Sequence, residues 1–202
     1  PLCYFIVMWA DPNERNASPG AMDNASGIAV AYAVTKYFKE NPDKMPKNCR
    51  IIDYNSGSEE AGLRGAIAFT KRHKGEPILD NCYQINIDSV ADENHFEVIT
   101  GDAWQFTKFD KDLEKMFLDA MNEAGIKNPS SIVNPVGGCD STPMKKAGVK
   151  TITFAAQNPV ATNYYHTCND VPERFKSETV NLGLDVVLRV IDKIAEKENL
   201  KK

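Results

Sequence analysis

No stretch of this chain approaches the roughly 20 consecutive apolar residues that a membrane-spanning helix needs, so an embedded protein is not expected. An excess of positive charge is lacking too. The net charge is −4, which argues against nucleic acid as a main partner, because phosphate binding calls for a basic face. The five cysteines, Cys3, Cys49, Cys82, Cys139 and Cys168, are odd in number and match neither a disulfide framework nor a CxxC metal site. They are expected to be reduced and buried. No basic stretch precedes the apolar run Leu2 to Trp9, so the start does not read as a secretory signal. A cytoplasmic protein is slightly favoured, with a secreted one whose signal has been removed left open.

Internal repeats and low-complexity linkers are absent as well, which leaves one domain over residues 1–202. Hydrophobic residues at 42% against 26% charged are enough to build a core for it. Cys3 to Trp9 reads as a buried strand and Asp11 to Gly20 as a loop. Ala25 to Phe38 predicts a helix apolar almost all round, hence deeply buried. Strands are expected at Arg50 to Tyr54, Tyr83 to Ile87, Phe96 to Thr100, Ser131 to Val133 and Thr151 to Phe154. Between them lie helices at about Leu63 to Arg72, Asp110 to Ala124 and Ser141 to Lys146.

Asp110 to Ala124 is clearly amphipathic, with Leu113, Met116, Phe117 and Ala120 on one side and Gly125 where a glycine cap belongs. Ser177 is expected to N-cap a last helix built on Val180, Leu184, Val187, Ile191 and Ile194. Alternating strands and helices imply an α/β domain, a three-layer α/β/α sandwich around a mixed, mostly parallel sheet. Ligands gather at the carboxyl ends of strands in such sheets. Asp11, Glu59, Glu60 and Asp88 fall there.

Five segments carry most of the potential chemistry: Pro19–Gly27 (PGAMDNASG), Gly57–Gly65 (GSEEAGLRG), Asn86–Asp88 (NID), Gly138–Pro143 (GCDSTP) and Tyr165–Asp170 (YHTCND). Glu59 and Glu60 are adjacent, so their side chains point different ways, one toward a metal and one toward a substrate. Asp23, Asp88 and His166 lie at other element ends that can converge with them. Oxygen donors with one imidazole suit Zn²⁺, and a free carboxylate beside an activated water is what a hydrolytic base requires.

Taken together and in order, these segments resemble the M28 metallopeptidases. That family's recurring order is H-x-D, G-A-x-D-N-A-S-G, G-E-E-x-G-L-x-G, N-x-D, S-D-x-x-P-F and Y-H-T-x-x-D. The resemblance implies a zinc-exopeptidase-like fold and hydrolysis of N-terminal peptide bonds in peptides with a free amino terminus. It implies zinc ligands Asp23, Glu60, Asp88 and His166, with Asp23 bridging two ions and a cis Asp23–Asn24 peptide. Glu59 is the implied base that takes the proton from the activated water. Asp11, carried into the site by the first segment, is implied as a second catalytic residue. Asp170 is implied to orient His166, and Asp140 to support the site without binding metal.

Departures from the family pattern narrow these expectations. Trp9-Ala10-Asp11 stands where H-x-D belongs, and an indole nitrogen cannot ligate zinc. His73 and His95 lack the family's spacing and read as solvent-facing. One zinc is therefore expected at Asp23, Glu60 and His166, with a second site reduced to Asp23 and Asp88. Cys139 and Met144 replace the usual serine and phenylalanine, and the chain starts at a strand that family members reach later, as a truncated form would. Two other functions are compatible: a one-zinc acyl transferase like the glutaminyl cyclases, and a non-catalytic homologue that serves as a binding module.

Overall fold

The computed structural model describes residues 18–158 and 164–200. The expected first strand, Cys3 to Trp9, lies outside the described residues, as do Trp9 and Asp11. Five strands form one sheet: β1 (Tyr83–Val90), β2 (Phe96–Asp102), β3 (Thr107–Lys108), β4 (Ser130–Asn134) and β5 (Lys150–Ala156). The strand order is β1-β5-β2-β3, with β4 also paired to β2. β1 runs parallel to β5, with Ile85 opposite Ile152, and β4 runs parallel to β2, with Ser131 opposite Val98. β2 is antiparallel to β5 and to β3. The sheet is mixed, and the two parallel ladders make up the longer part of the pairing.

β5 shows why the sheet is covered on both faces. Its residues Thr151 to Ala156 are all buried, as an interior strand requires. Side chains alternate along a strand, and Ile152, Phe154 and Ala156 enter one large core. Three helices line that core: α1 (Gly27–Glu40), α3 (Lys111–Glu123) and α5 (Ser177–Lys197). Phe154 stacks on Phe96 and on Phe117 of α3, with ring centroids 5.9 Å and 5.1 Å away. Thr153 points the opposite way and bonds Ser141 at the start of α4 (Ser141–Lys146). α4 packs against β5, β1 and α2 (Arg64–Arg72), completing the third layer.

Gly125 caps α3 as expected, and Asp110, expected as its first residue, is its N-cap. Asp110 Oδ1 accepts from the Asp112 and Leu113 N–H groups at 3.0 Å each, and Gly125 takes φ +77° after the helix ends.

The structure differs from the sequence expectations at three elements and at the cysteines. Arg50 to Tyr54 form no strand. Strands exist through a ladder partner, and among the described residues none pairs with this run, whose Ile52 and Tyr54 are 49% and 38% exposed. α1 is one-sided and not buried all round. Val30, Val34 and Phe38 face α5 and the sheet, while Ile28 and Tyr32 are 49% and 64% exposed.

α5 begins one residue earlier than its expected cap implies. Lys176 is the N-cap position, and the Ser177 hydroxyl turns to Glu178. The face of α5 nearest the core runs through Thr179, Gly183, Val186, Val187 and Val190, with Val180, Leu184, Ile191 and Ile194 only partly buried beside it. Gly183 sets this rotation, because a Cβ there would lie 2.8 Å from Val90 Cγ1. The cysteines also depart from expectation. Cys139 is buried, Cys82 is half-buried, and Cys49 and Cys168 are exposed; all four are free thiols.

Candidate metal centre

The site begins with a turn that its own polar side chains fasten to β1. Gly20 adopts φ +70°, and residues Ala21–Ser26 form an irregular helical turn in which Asp23 and Asn24 leave helical geometry. The Asp23–Asn24 peptide is cis. The Asn24 side chain donates to the Ile87 carbonyl at 2.9 Å and accepts from the N–H groups of Gly27 and Ser89, both at 3.1 Å. Ser26 donates to the Met22 carbonyl and accepts from Val90 N–H. Gly27 is required by this closeness, since a Cβ there would sit 2.4 Å from the Ile87 oxygen. Asp23 is thereby held beside the end of β1, the strand that carries Asp88.

The second element is the loop Gly57 to Leu63, which turns tightly into α2. The N–H groups of Gly62 and Leu63 both bond the Glu59 carbonyl, at 2.9 Å and 2.7 Å, and Leu63 takes φ +57°. Gly65 lets α2 press onto Gly57, whose oxygen would be 2.2 Å from an added Cβ. The third element is His166, which also adopts a positive φ, +57°, and stacks on the Tyr165 ring at 3.9 Å.

These three elements converge. His166 Nε2 lies 2.9 Å from Asp23 Oδ2 and 2.8 Å from Glu60 Oε1. One potential ligand atom from each of the three side chains lies within 4.8 Å of the others, and no other group of three does so among the described residues. Burial works against charge on His166, but its bonds to the two carboxylates outweigh that and push its pKa up to about 10. The bond from His166 holds Glu60 below the usual carboxylate range, whereas burial, only partly offset by His166, raises Asp23. Asp23, Glu60 and His166 thus share a proton at the place where a cation would sit. Two carboxylate oxygens and one imidazole nitrogen are a donor set that fits Zn²⁺ with a position left open.

Three further acids surround this set. Burial, reinforced by the charges of Asp88, Glu60, Asp140 and Asp23, raises Glu59 to about 8. Burial and the charges of Asp23 and Asp140 raise Asp88 to about 7. Asp88 stands inside β1 near its end, not after it, and does not join the converging triad. Asp140 is raised by burial, with the Ser56 hydroxyl opposing the shift, and its Oδ1 is enclosed without a hydrogen-bond donor.

Asp170 is fully buried, and its bonds correct the role implied for it. Its carboxylate accepts from the Met22 and Asp23 N–H groups at 2.8 Å and 3.2 Å, so it holds the Asp23 turn and not the His166 ring. His73 and His95 are half-buried and not fully solvent-facing, bonded to Glu76 at 2.7 Å and to Asp92 at 2.8 Å. Asn24 and Ser26 lay inside a recognised segment, but their roles in fastening the turn to β1 rest on Ile87, Ser89 and Val90, which are distant in the chain. Among the described residues no helix is long and apolar enough to cross a membrane.

Comparisons with known proteins bear on the fold and the family. A zinc aminopeptidase from Bacillus subtilis superposes with a TM-score of 0.71 at 24% identity, over 92% of this chain and 43% of that one. An aminopeptidase from Aneurinibacillus sp. strain AM-1 gives 0.66 at 18% identity, over 88% and 40% of the two chains. A glutaminyl cyclase from an Acidobacteriales bacterium gives 0.65 at 17% identity, over 88% and 63%. The chain therefore spans less than half the length of the two aminopeptidases, and at these identities the likeness establishes the zinc-exopeptidase type of fold. The family model for peptidase family M28 matches residues 8–191, the stretch that carries every motif segment, and the chain belongs to that family.

Proposed function

We propose that the chain carries the metal centre of an aminopeptidase, with one zinc held by Asp23, Glu60 and His166 and with Glu59 as the general base. The convergence of those three side chains, with Glu59 next in sequence to one of them, carries the reading. A bound zinc would supply Lewis-acid polarisation of the scissile carbonyl and a more acidic water. Glu59, with its pKa near 8, binds a proton readily near neutral pH and can pass it to the departing amine. Burial and neighbouring acids make it the more basic of the two adjacent glutamates, while Glu60, bonded to His166, stays ionised as a ligand. The surrounding acids Asp88 and Asp140 favour a substrate that presents a cation, such as a peptide with a free amino terminus. Asp88 and Asp23 offer only two carboxylates to a second ion.

The test is zinc content per chain measured beside hydrolysis of a panel of amino-acyl anilides. Glu59→Gln should abolish hydrolysis, with a loss of about a hundredfold or more, while zinc content stays unchanged. Undiminished turnover in that variant removes Glu59 from the role of base. A one-ion Asp-Glu-His centre also suits a glutaminyl-cyclase-like acyl transfer. Conversion of N-terminal glutamine to pyroglutamate, without anilide hydrolysis, would select that reading. A protein that stays folded but takes up no zinc and turns over neither substrate would be a binding module.

A further inference from the structure

Asp102 ends strand β2 and is fully buried. A buried carboxylate persists only where donors surround it, and here they come mainly from one turn. The Cys139 N–H donates to Oδ2 at 3.1 Å, the Thr142 hydroxyl donates to the same oxygen, and the Cys139 thiol lies 3.7 Å from it. Asn134 of β4 donates to Oδ1 at 3.2 Å. The turn is fastened again on its other side. The Cys139 thiol meets the Thr153 hydroxyl at 3.0 Å, and Ser141 meets the same hydroxyl at 2.8 Å. Cys139, Ser141 and Thr142 are thus all bound to the sheet, and between them stands Asp140.

Asp140 needs that restraint. Its Oδ1 is enclosed with no donor, an arrangement that a freely turning loop relieves by rotating the carboxylate into water. Instead it remains close enough to Glu59 and Asp88 for its charge to act on both.

We infer that Asp102 is a positioning residue, which clamps the Cys139–Thr142 turn to the end of β2 and so holds Asp140 toward Glu59 and Asp88. Its consequence for turnover rests on the aminopeptidase reading, whereas the clamp is a property of the fold and can be measured without turnover.

The experiment follows maleimide labelling of each cysteine by mass spectrometry, together with zinc affinity and kcat/KM, in Asp102→Ala, Thr142→Val and Thr142→Ser. Release of the turn should speed labelling of Cys139 by about tenfold or more, while half-buried Cys82, outside the turn, keeps its wild-type rate and so reports that the fold as a whole is intact. Zinc affinity should be unchanged, because no residue of the triad lies in the turn. kcat/KM per zinc-loaded molecule should fall by about tenfold to a hundredfold in Asp102→Ala, as expected for a misplaced site group. Thr142→Val should show the same pattern more weakly, and Thr142→Ser, which keeps the hydroxyl, should restore it.

Wild-type labelling of Cys139 in both Asp102→Ala and Thr142→Val overturns the clamp. Fast labelling with undiminished kcat/KM overturns the positioning role and leaves Asp102 a structural residue. If Asp102→Ala does not fold, the Thr142 pair decides alone. If the wild-type protein hydrolyses no peptide, the aminopeptidase reading has failed, and the labelling result still accepts or rejects the clamp.

Discussion

Zinc uptake by this centre should expel a proton from His166, and the structure indicates how strongly. Nε2 sits between Asp23 Oδ2 at 2.9 Å and Glu60 Oε1 at 2.8 Å, and these bonds hold its pKa at about 10 against the ordinary 6.5. A raised histidine stabilises the folded state fully below its unfolded pKa. That contribution fades as pH climbs through the folded value, here from about 6.5 to about 10. Zinc requires the neutral imidazole, so it competes with this proton over that whole window. The apparent zinc affinity should rise at least about tenfold per pH unit, and so at least about a hundredfold between about pH 7 and pH 9.

Near pH 7 the count of released protons should exceed one. Asp88, at about 7, and Glu59, at about 8, still hold part of theirs, and a nearby dication drives them off. Titration calorimetry in two buffers of different ionisation enthalpy, with a competing chelator, reads both quantities. Tight zinc binding with no proton release near pH 8, or an affinity flat across the window, would refute the reasoning and remove His166 from the ligand set.

Other outcomes follow from the same contacts. Gly27→Ala forces a Cβ against the Ile87 oxygen and the Asn24 side chain, so it should cost about 1–3 kcal/mol in denaturant unfolding and weaken zinc binding as the Asp23 turn shifts. Asp170→Ala frees the Met22 and Asp23 N–H groups. Zinc affinity by chelator competition should drop about tenfold to a hundredfold, and an unchanged value would show that the turn holds itself. Phe154→Ala removes the ring that joins Phe96 of the sheet to Phe117 of α3. It should destabilise the fold by about 3–5 kcal/mol, and a loss under about 1 kcal/mol would mean that the core is not centred there.

Much of this protein is written in local signals. Asp110 and Gly125 bracket α3 because capping depends on side chains within a few residues of the helix end. The convergence of Asp23, Glu60 and His166 was anticipated because metal chemistry admits few residue types, and their segments keep a recognisable order. Alternating strand and helix patterns likewise announced the α/β architecture, since each pattern records what one residue prefers to bury.

Pairing is another matter. Whether Arg50 to Tyr54 forms a strand depends on a partner and not on its own composition, and the exposure of Ile28 and Tyr32 depends on what packs beside α1. Gly183, and not the leucines and isoleucines around it, determines which side of α5 meets the sheet. The tertiary structure alone brought Asp170 to the backbone of Met22 and Asp23, across nearly 150 positions of chain, and Asp102 to Thr142. Residue types and periodicity state what each side chain can do. Which of two buried acids binds a metal, grips a turn or lifts a neighbour's pKa is decided by the distances between groups far apart in the chain, and only the folded chain sets those.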